Sequence, residues 1–217
     1  MKKFNLTAGV VLLSILLFAC NQTPKTTEET PIAEETIENL KAAITGESNA
    51  FLKYLFFAEE AEAQGMHNIA KMFFAASRAE EIHVENHQAV LKSLQEDEFV
   101  PVIEEAHIAD SDMSKNLESA IAGETYEFME MYPVFIETAK AENVPDAVKS
   151  FEFAMKAEKI HAEHYQMVLD ILKATGNDET VSSEWYVCLV CGKLTPTIDG
   201  LSHCAICGEK VEKFKKF

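Results

Sequence analysis

The sequence predicts a mainly α-helical protein, a four-helix bundle with one long crossover, followed by a small C-terminal domain built on two Cys-x-x-Cys pairs. Apolar residues return at three- and four-residue steps, as at Phe51, Tyr54, Leu55 and Ala58, which is the helical period. The middle of the chain is an internal duplication, so the same helical unit occurs twice.

The duplication is visible in two matched pairs of segments. Residues 39–47, NLKAAITGE, are answered by residues 116–124, NLESAIAGE, at an offset of 77. Residues 80–85, EEIHVE, are answered by residues 158–163, EKIHAE, at an offset of 78. The second half therefore contains one inserted residue, and each half predicts a helix, a short turn and a second helix.

The helix boundaries follow from turn and start signals. Gly65 and Pro145 mark two tight turns, residues 96–112 form a long connection, and Ser111 with Asp112 is typical of a helix start. Short, long and short connections are typical of a ferritin-like bundle with one crossover. We predict helices over about 34–64, 66–95, 113–142 and 146–174.

The first 20 residues, MKKFNLTAGVVLLSILLFAC, combine two lysines with an apolar stretch too short to span a bilayer, which is typical of a signal peptide. Residues 17–20, LFAC, resemble a bacterial lipobox, so we expect Cys20 to be the lipidated first residue of the mature protein. The alternatives are an uncleaved apolar anchor, or a plain export signal in which Cys20 is incidental. All three place the rest of the chain outside the cytoplasm, and the lipid-anchored form faces the periplasm or the cell exterior.

Composition limits the remaining possibilities. A net charge of -17 argues against nucleic acid, because phosphate binding needs a basic surface. Residues 20–35 are rich in Thr, Glu and Pro and predict a flexible tether. We predict a signal peptide over 1–19, the tether over 20–35, the bundle over 36–176, a linker over 177–181 and the cysteine domain over 182–217.

Carboxylates and histidines recur at matching positions of the two halves. Each half has one Glu-x-x-His pair, whose side chains share a helix face, and one Glu that follows a Gly. This is the pattern of ferritin-like di-iron sites, in which hard carboxylates neutralise the charge of two iron ions. Any one of these glutamates alone would be read as a solvated residue, but the joint pattern predicts a metal centre. The predicted set is Glu47, Glu80, His83, Glu124, Glu158 and His161, with Glu127 as a fifth carboxylate.

The C-terminal pairs Cys188/Cys191 and Cys204/Cys207 are each followed by Gly, a spacing that brings four sulfurs onto one metal ion. The metal must supply much of the stability of so short a domain. Spacing alone leaves iron and structural zinc open, because both accept four thiolates.

These motifs, together with Met131-Tyr132-Pro133-x-Phe135, resemble the rubrerythrin family over residues 36–217. The resemblance implies a rubredoxin-like tail with iron, rather than zinc, on the four cysteines. It implies that Glu127 is also an iron ligand and that one iron shifts between Glu127 and His83 as the redox state changes. It places Tyr54 and Tyr132 beside the site, although simple packing would also account for both tyrosines.

The resemblance implies a peroxidase that reduces hydrogen peroxide to water in oxidative-stress protection. Electrons would come from a donor such as rubredoxin or an NAD(P)H-linked reductase. It further implies a homodimer in which the tail of one chain feeds the bundle of its partner. The alternatives are a ferroxidase or iron-handling protein, and a zinc-stabilised binding module without turnover.

The histidines without a partner pattern are predicted to be surface or packing residues: His67, His87, His107, His164 and His203.

Overall fold

The computed structural model describes residues 33–95, 98–103 and 110–217, together with Met1 and Lys3. The predicted signal peptide, its lipidation site Cys20 and most of the tether lie outside these residues. Among the described helices, none has the length and apolar character needed to cross a membrane.

The bundle is built from five α-helices and one π-helical turn in the described part of the chain. The third and fourth helices are joined directly by the π-helical turn, so they form one of the four rods of the predicted bundle. In chain order the elements are α1 (Glu34–Ala63), α2 (His67–Leu94), α3 (Met113–Tyr126), the π-helical turn (Glu127–Met131), α4 (Tyr132–Ala141) and α5 (Pro145–Thr175). The last two residues of the predicted tether are therefore helical.

The start signals act as expected. Asp112 caps α3 by accepting a hydrogen bond from the backbone N–H of Ser114 at 3.0 Å. Pro145 is the first residue of α5, where its missing N–H costs nothing. Gly65 has a φ of 77°, which lets the chain turn between α1 and α2.

The π-helical turn explains the inserted residue. The predicted helix over about 113–142 is confirmed as one continuous helical rod, but residues 127–131 form a wider, π-helical turn within it. Glu47 and Glu124 are 77 residues apart, whereas Tyr54 and Tyr132 are 78 apart. The insertion therefore lies between Glu124 and Tyr132, where a π-helical turn absorbs one extra residue without ending the helix.

The apolar core has two parts, separated along the bundle by a layer of buried carboxylates and histidines. One part contains Phe57 and Phe73, and the other contains Leu40 and Phe151. Each long helix passes from one part to the other, so its middle lies in the polar layer.

The C-terminal domain is a small antiparallel sheet with strand order β2-β1-β3. Its elements are β1 (Tyr186–Cys188), β2 (Leu194–Thr195), a 3-10 turn (Val211–Lys213) and β3 (Phe214–Lys216). Trp185, Val187 and Leu194 belong to the same buried apolar cluster as α1 and α2, so the domain packs on the bundle of its own chain.

The predicted linker is also packed. Asp178 accepts hydrogen bonds from the backbone N–H groups of Asn68 and Ile69, at 2.7 and 3.2 Å, and so caps the start of α2. Met66, at the N-cap position of that helix, supplies no side-chain cap. The linker therefore closes an otherwise uncapped helix end.

Candidate metal centres

The bundle brings six predicted ligands into one buried cluster. Their side chains come from four rods, and each residue is at most 1% exposed. Burying this many carboxylates is unfavourable unless a cation or a proton neutralises them. The six are Glu47 on α1, Glu80 and His83 on α2, Glu124 on α3, and Glu158 and His161 on α5.

The cluster divides into two groups of four that have two members in common. One group contains Glu47 and His83, the other contains Glu124 and His161, and both contain Glu80 and Glu158. Within each group the ligand atoms lie within 4.8 Å of one another. Two adjacent cation sites with shared carboxylates is the arrangement of a bridged di-metal centre, so Glu80 and Glu158 would bridge.

Buried atoms without partners support this reading. Six polar atoms of the cluster have no hydrogen-bond partner among the described residues, although buried oxygens and nitrogens in proteins are nearly always paired. A metal ion would use these lone pairs. The atoms are Glu47 Oε2, Glu80 Oε1, Glu124 Oε2, both carboxylate oxygens of Glu158, and His161 Nδ1. The residues therefore fit two cations.

Both histidines turn Nδ1 toward the carboxylates. His83 Nδ1 lies 2.7 Å from Glu158 Oε1, and His161 Nδ1 lies 2.8 Å from Glu158 Oε2. The opposite ring nitrogens donate outward, from His83 Nε2 to the carbonyl of Cys191 at 3.2 Å and from His161 Nε2 to the carbonyl of Gly192 at 3.1 Å. A carbonyl only accepts, so Nε2 carries a proton in both histidines, and Nδ1 is the nitrogen that would bind a metal ion.

The metal-free cluster has strongly shifted ionisation. Burial raises the pKa of Glu158 well above its ordinary value, and the negative charge of Glu80 adds to the effect. Burial lowers the pKa of His83 and of His161, but the charge of Glu158 and carboxylate hydrogen bonds outweigh it and hold both pKa values well above the ordinary range. Burial raises the pKa of Glu80, but the two adjacent histidines, His83 by a hydrogen bond at 3.0 Å and His161 by its charge, outweigh burial and lower this pKa to about 2.

Glu127 lies beside the cluster without belonging to either group of four. It is the first residue of the π-helical turn and is half-buried. Its Oε1 lies 4.0 Å from the position of a Cβ built on Gly46, so the carboxylate reaches the residue next to Glu47. Burial and the charges of Glu47 and Glu124 raise the pKa of Glu127 well above its ordinary value. Its carboxylate therefore faces the cluster.

The two predicted tyrosines both touch the cluster. Tyr54 donates a hydrogen bond to Glu124 Oε1, and Tyr132 donates one to Glu47 Oε1. Both rings are buried. Packing alone therefore does not describe them, because each hydroxyl holds one carboxylate oxygen of the predicted centre.

The four cysteines of the tail form a second site. Cys188 Sγ and Cys207 Sγ are 3.6 Å apart, as are Cys191 Sγ and Cys204 Sγ. This is too long for a disulfide, whose sulfurs are about 2.05 Å apart. It fits a tetrahedral site, in which metal–sulfur bonds of about 2.3 Å place the sulfurs about 3.8 Å from one another. The glycines after Cys191 and Cys207 both have a φ of 75°, which closes each knuckle.

The two centres meet at Gly192. A Cβ on this glycine would lie 2.2 Å from His83 Nε2, so only a glycine allows the knuckle to approach. Asn86 adds a hydrogen bond from Nδ2 to the carbonyl of Val190 at 3.0 Å. These contacts are made within the described chain. The arrangement that the family resemblance implies, in which the tail serves the bundle of a partner chain, stays a prediction.

The histidines without a partner pattern have different surroundings. His67 is exposed and pairs with Glu62, and His203 is exposed. His164 packs edge-on against Trp185 at 5.3 Å between ring centroids. His87 is fully buried and its Nε2 is hydrogen-bonded to the Tyr132 hydroxyl, so it does more than fill space in the core. His107 lies outside the described residues.

Two carboxylate-bridged cation sites inside a four-helix bundle, joined to a four-sulfur site, define a ferritin-like di-metal protein with a rubredoxin-like tail. The family model described as Rubrerythrin matches residues 38–169. Rubrerythrin-2 of Clostridium acetobutylicum is 38% identical over 182 residues, which are 84% of this chain and 96% of that protein. Nigerythrin of Nitratidesulfovibrio vulgaris is 35% identical over 84% of this chain and 86% of that protein.

A solved structure of fully reduced, all-ferrous nigerythrin matches with a TM-score of 0.75 and 34% identity, over 84% of this chain and 86% of that chain. The chain belongs to the rubrerythrin family. It therefore carries the cofactors of that family, two iron ions in the bundle and one iron ion on the four cysteines. Membership of this family indicates an oxidoreductase.

Proposed function

We propose that the protein is a peroxidase that reduces hydrogen peroxide to water with electrons that enter through the tetracysteine iron. The observation that carries the proposal is the pair of hydrogen bonds from His83 and His161 to the carbonyls of Cys191 and Gly192. They join the electron relay to both halves of the di-iron centre. A protein that only stores or oxidises iron does not need a connection between an electron-transfer site and its di-iron centre.

The reaction consumes one hydrogen peroxide, two electrons and two protons and produces two water molecules. The bound irons supply the electrons and a positively charged place for peroxide. The protein residues do the rest. Glu80 and Glu158, which belong to both groups of ligands, would neutralise the charge of the cations, and the hydrogen bonds made by the Nε2–H groups fix the orientation of both histidine rings.

Glu127 and His83 would exchange as ligands during the cycle, Glu127 in the oxidised state and His83 in the reduced state. Two features support this proposal. The carboxylate of Glu127 faces the cluster from the π-helical turn, although the cluster already has its six ligands without it. A π-helical turn also places Glu127 outside the regular helix, in a position typical of functional residues.

The setting of the reaction is proposed from the sequence. We propose export with lipid attachment at Cys20, which would place the bundle at a bacterial membrane, facing the periplasm or the cell exterior. The electron donor would be rubredoxin or an NAD(P)H-linked reductase, and the assembly a homodimer. The tether of residues 20–33 would separate the bundle from the lipid.

The test is steady-state peroxide consumption by the iron-loaded protein with reduced rubredoxin as donor, after metal analysis of both sites. Cys204→Ser is the control, because it removes one sulfur from the relay and leaves the bundle ligands in place. We expect turnover in the parent and almost none in the variant. Oxidation of free ferrous iron far faster than the consumption of donor electrons would favour the ferroxidase instead. Zinc in the tail together with no turnover would favour the binding module.

A further inference from the structure

A chain of three hydrogen bonds leads from the di-metal cluster to the protein surface. Tyr132 donates to Glu47, and the hydroxyl oxygen of Tyr132 accepts from Nε2–H of His87 at 3.1 Å. With its proton on Nε2, His87 has a free lone pair on Nδ1, which accepts from the Ser150 hydroxyl at 2.8 Å. Every donor in this chain therefore points toward Glu47.

The middle of this hydrogen-bonded path is isolated from solvent. His87 and Tyr132 are both fully buried, and the ring of Phe151 packs against both, with centroids 5.3 and 5.9 Å away. Burial, together with the charge of His83, lowers the pKa of His87 to about 3. His87 is therefore neutral, with one donor and one acceptor nitrogen, which is the state a hydrogen-bonded chain requires.

The outer end of this hydrogen-bonded path, at Ser150, opens into a surface cleft. Ser150 lines this cleft of about 350 Å³ together with the exposed residues Asp146 and Lys149. Val190 of the tail lines the same cleft, so its mouth lies where the tail meets the bundle. A water molecule in the cleft can donate to the Ser150 oxygen, which continues the same direction of donation.

The internal repeat provides a natural comparison. An offset of 78 residues relates Tyr132 to Tyr54, which binds Glu124 in the equivalent way. The same offset relates His87 to Tyr165 and Ser150 to Met72. Met72 is fully buried and its thioether has no proton to donate. The equivalent path in the other half therefore ends in the apolar core.

We propose that Ser150, His87 and Tyr132 form a one-sided proton relay that carries protons from the cleft to Glu47, for delivery to the oxygens of peroxide. The inference rests on the proposed peroxidase function, which consumes two protons for each peroxide. Protons move along the relay by successive exchange of the existing hydrogen bonds, so that no member has to hold a charge. The residues are positioning residues, because none of them touches the reacting oxygens.

The test compares Ser150→Ala with Ser150→Thr, which keeps the hydroxyl at the mouth of the relay. Fully reduced, iron-loaded protein is mixed with hydrogen peroxide, and a single turnover is followed in H2O and in D2O. We expect His87→Phe to slow the reaction about 100-fold, at the lower end of the range for a lost proton-transfer group. Ser150→Ala should slow it about 10-fold, because a water molecule from the cleft can replace part of the lost path. The solvent isotope effect should increase in both, while Ser150→Thr and the repeat control Tyr165→Phe stay near the parent.

A second measurement does not depend on peroxide. In the full chain loaded with Zn²⁺, which is diamagnetic, NMR gives the protonated nitrogen of His87 and the rate at which its Nε2–H exchanges with water. We expect Nε2 to carry the proton and the exchange to slow about 10-fold in Ser150→Ala, as for a blocked proton path. This result without any peroxide turnover in the parent would leave the relay and remove the proposed function. Parental exchange in Ser150→Ala, together with parental single-turnover rates in Ser150→Ala and His87→Phe, would overturn the relay.

Discussion

Tyr54 and Tyr132 occupy equivalent places in the two halves of the bundle, and each donates its hydroxyl to the glutamate of the other half. Tyr54 binds Glu124, and Tyr132 binds Glu47. The symmetry ends there, because His87 donates to Tyr132, whereas Tyr54 meets the ring of Tyr165 at 5.5 Å. Both hydroxyl groups therefore donate to a glutamate, but the second neighbour is a histidine at Tyr132 and a tyrosine at Tyr54.

This asymmetry predicts unequal effects of the same substitution. Tyr132→Phe and Tyr54→Phe each remove one buried hydrogen bond to a carboxylate, which should lower the stability of both by about 1 to 3 kcal/mol. Tyr132→Phe should lose about 1 kcal/mol more, because it also leaves the Nε2–H of His87 unpaired. Only Tyr132→Phe interrupts the path to the cleft, and its single-turnover rate with peroxide should fall about 10-fold further than that of Tyr54→Phe. Equal rates in the two variants would contradict the difference assigned to His87.

The two knuckle glycines offer a second matched pair. Gly192 and Gly208 both have a φ of 75°, so replacement by Ala costs each about 1 to 2 kcal/mol of backbone strain. At Gly192 the new Cβ would also meet His83 at 2.2 Å, whereas no described atom lies within 4 Å of a Cβ at Gly208. We expect Gly192→Ala to keep its red tetracysteine iron but lose most electron transfer to the bundle.

Gly208→Ala should keep both the red chromophore and electron transfer. The measurement is the rate at which peroxide re-oxidises the reduced tail in stopped flow. If Gly192→Ala transferred electrons as fast as Gly208→Ala, the contact with His83 would not be the path between the two centres.

The ligand set could be predicted from the sequence because the duplication repeats it. Glu80 and Glu158 would be unremarkable acidic residues in a chain of this charge, but each comes with a histidine three residues later and a counterpart in the other half. Position in the repeat thus supplied the spatial information that single residues lack. The bundle followed from the same duplication, together with the helical period.

His87 could not be found in this way, because its repeat partner is Tyr165 and no pattern is duplicated. The docking of the tail was also hidden, since it depends on the backbone carbonyls of Cys191 and Gly192, which every residue has. The inserted residue was visible as a change of offset, but its place was not. The π-helical turn that starts at Glu127 shows where the extra residue is absorbed.

Glu127 separates a peroxidase from a protein that only stores or oxidises iron. Glu127→Ala should retain its bundle iron, because the two groups of four ligands are complete without it. Peroxide turnover should fall by about 100-fold or more, the size typical of losing one positioned catalytic group. Glu130→Ala is the control, because Glu130 lies on the same π-helical turn and is exposed. Parental turnover in Glu127→Ala would remove the role given to this carboxylate.

The structure also predicts which chain supplies the electrons. Because the knuckle contacts His83 of its own chain, a dimer of one Cys204→Ser chain and one Glu124→Ala chain should stay inactive. Each chain then lacks one of the two centres that have to meet. Peroxide turnover in verified mixed dimers is the measurement. Recovery toward half of the parental rate would show that the tails exchange between chains, as the family resemblance implied.

Stability of the metal-free protein should fall as the pH rises from 6 to 9. The pKa of Glu158 is raised above its ordinary 4.5, and the pKa values of His83 and His161 are raised above 6.5. Groups with a raised folded pKa stabilise the fold fully only below their unfolded pKa, and this contribution is lost as the pH rises through the folded value. Glu80 acts in the opposite sense, but with a pKa lowered to about 2 its contribution is constant over this range.

We therefore expect the Tm of the metal-free protein, measured by circular dichroism, to fall by about 5 °C or more between pH 6 and pH 9, which corresponds to about 2 kcal/mol for a chain of this size. Iron-loaded protein should melt higher and change little over the same range, because its ligands are already deprotonated on the metal. Glu158→Gln serves as control, since it removes one carboxyl with a raised pKa and also the charge that raises the pKa values of His83 and His161, and it should flatten the metal-free profile. A metal-free Tm that rises with pH, or that equals the iron-loaded Tm throughout, would mean that these carboxylates are not gathered in one interior.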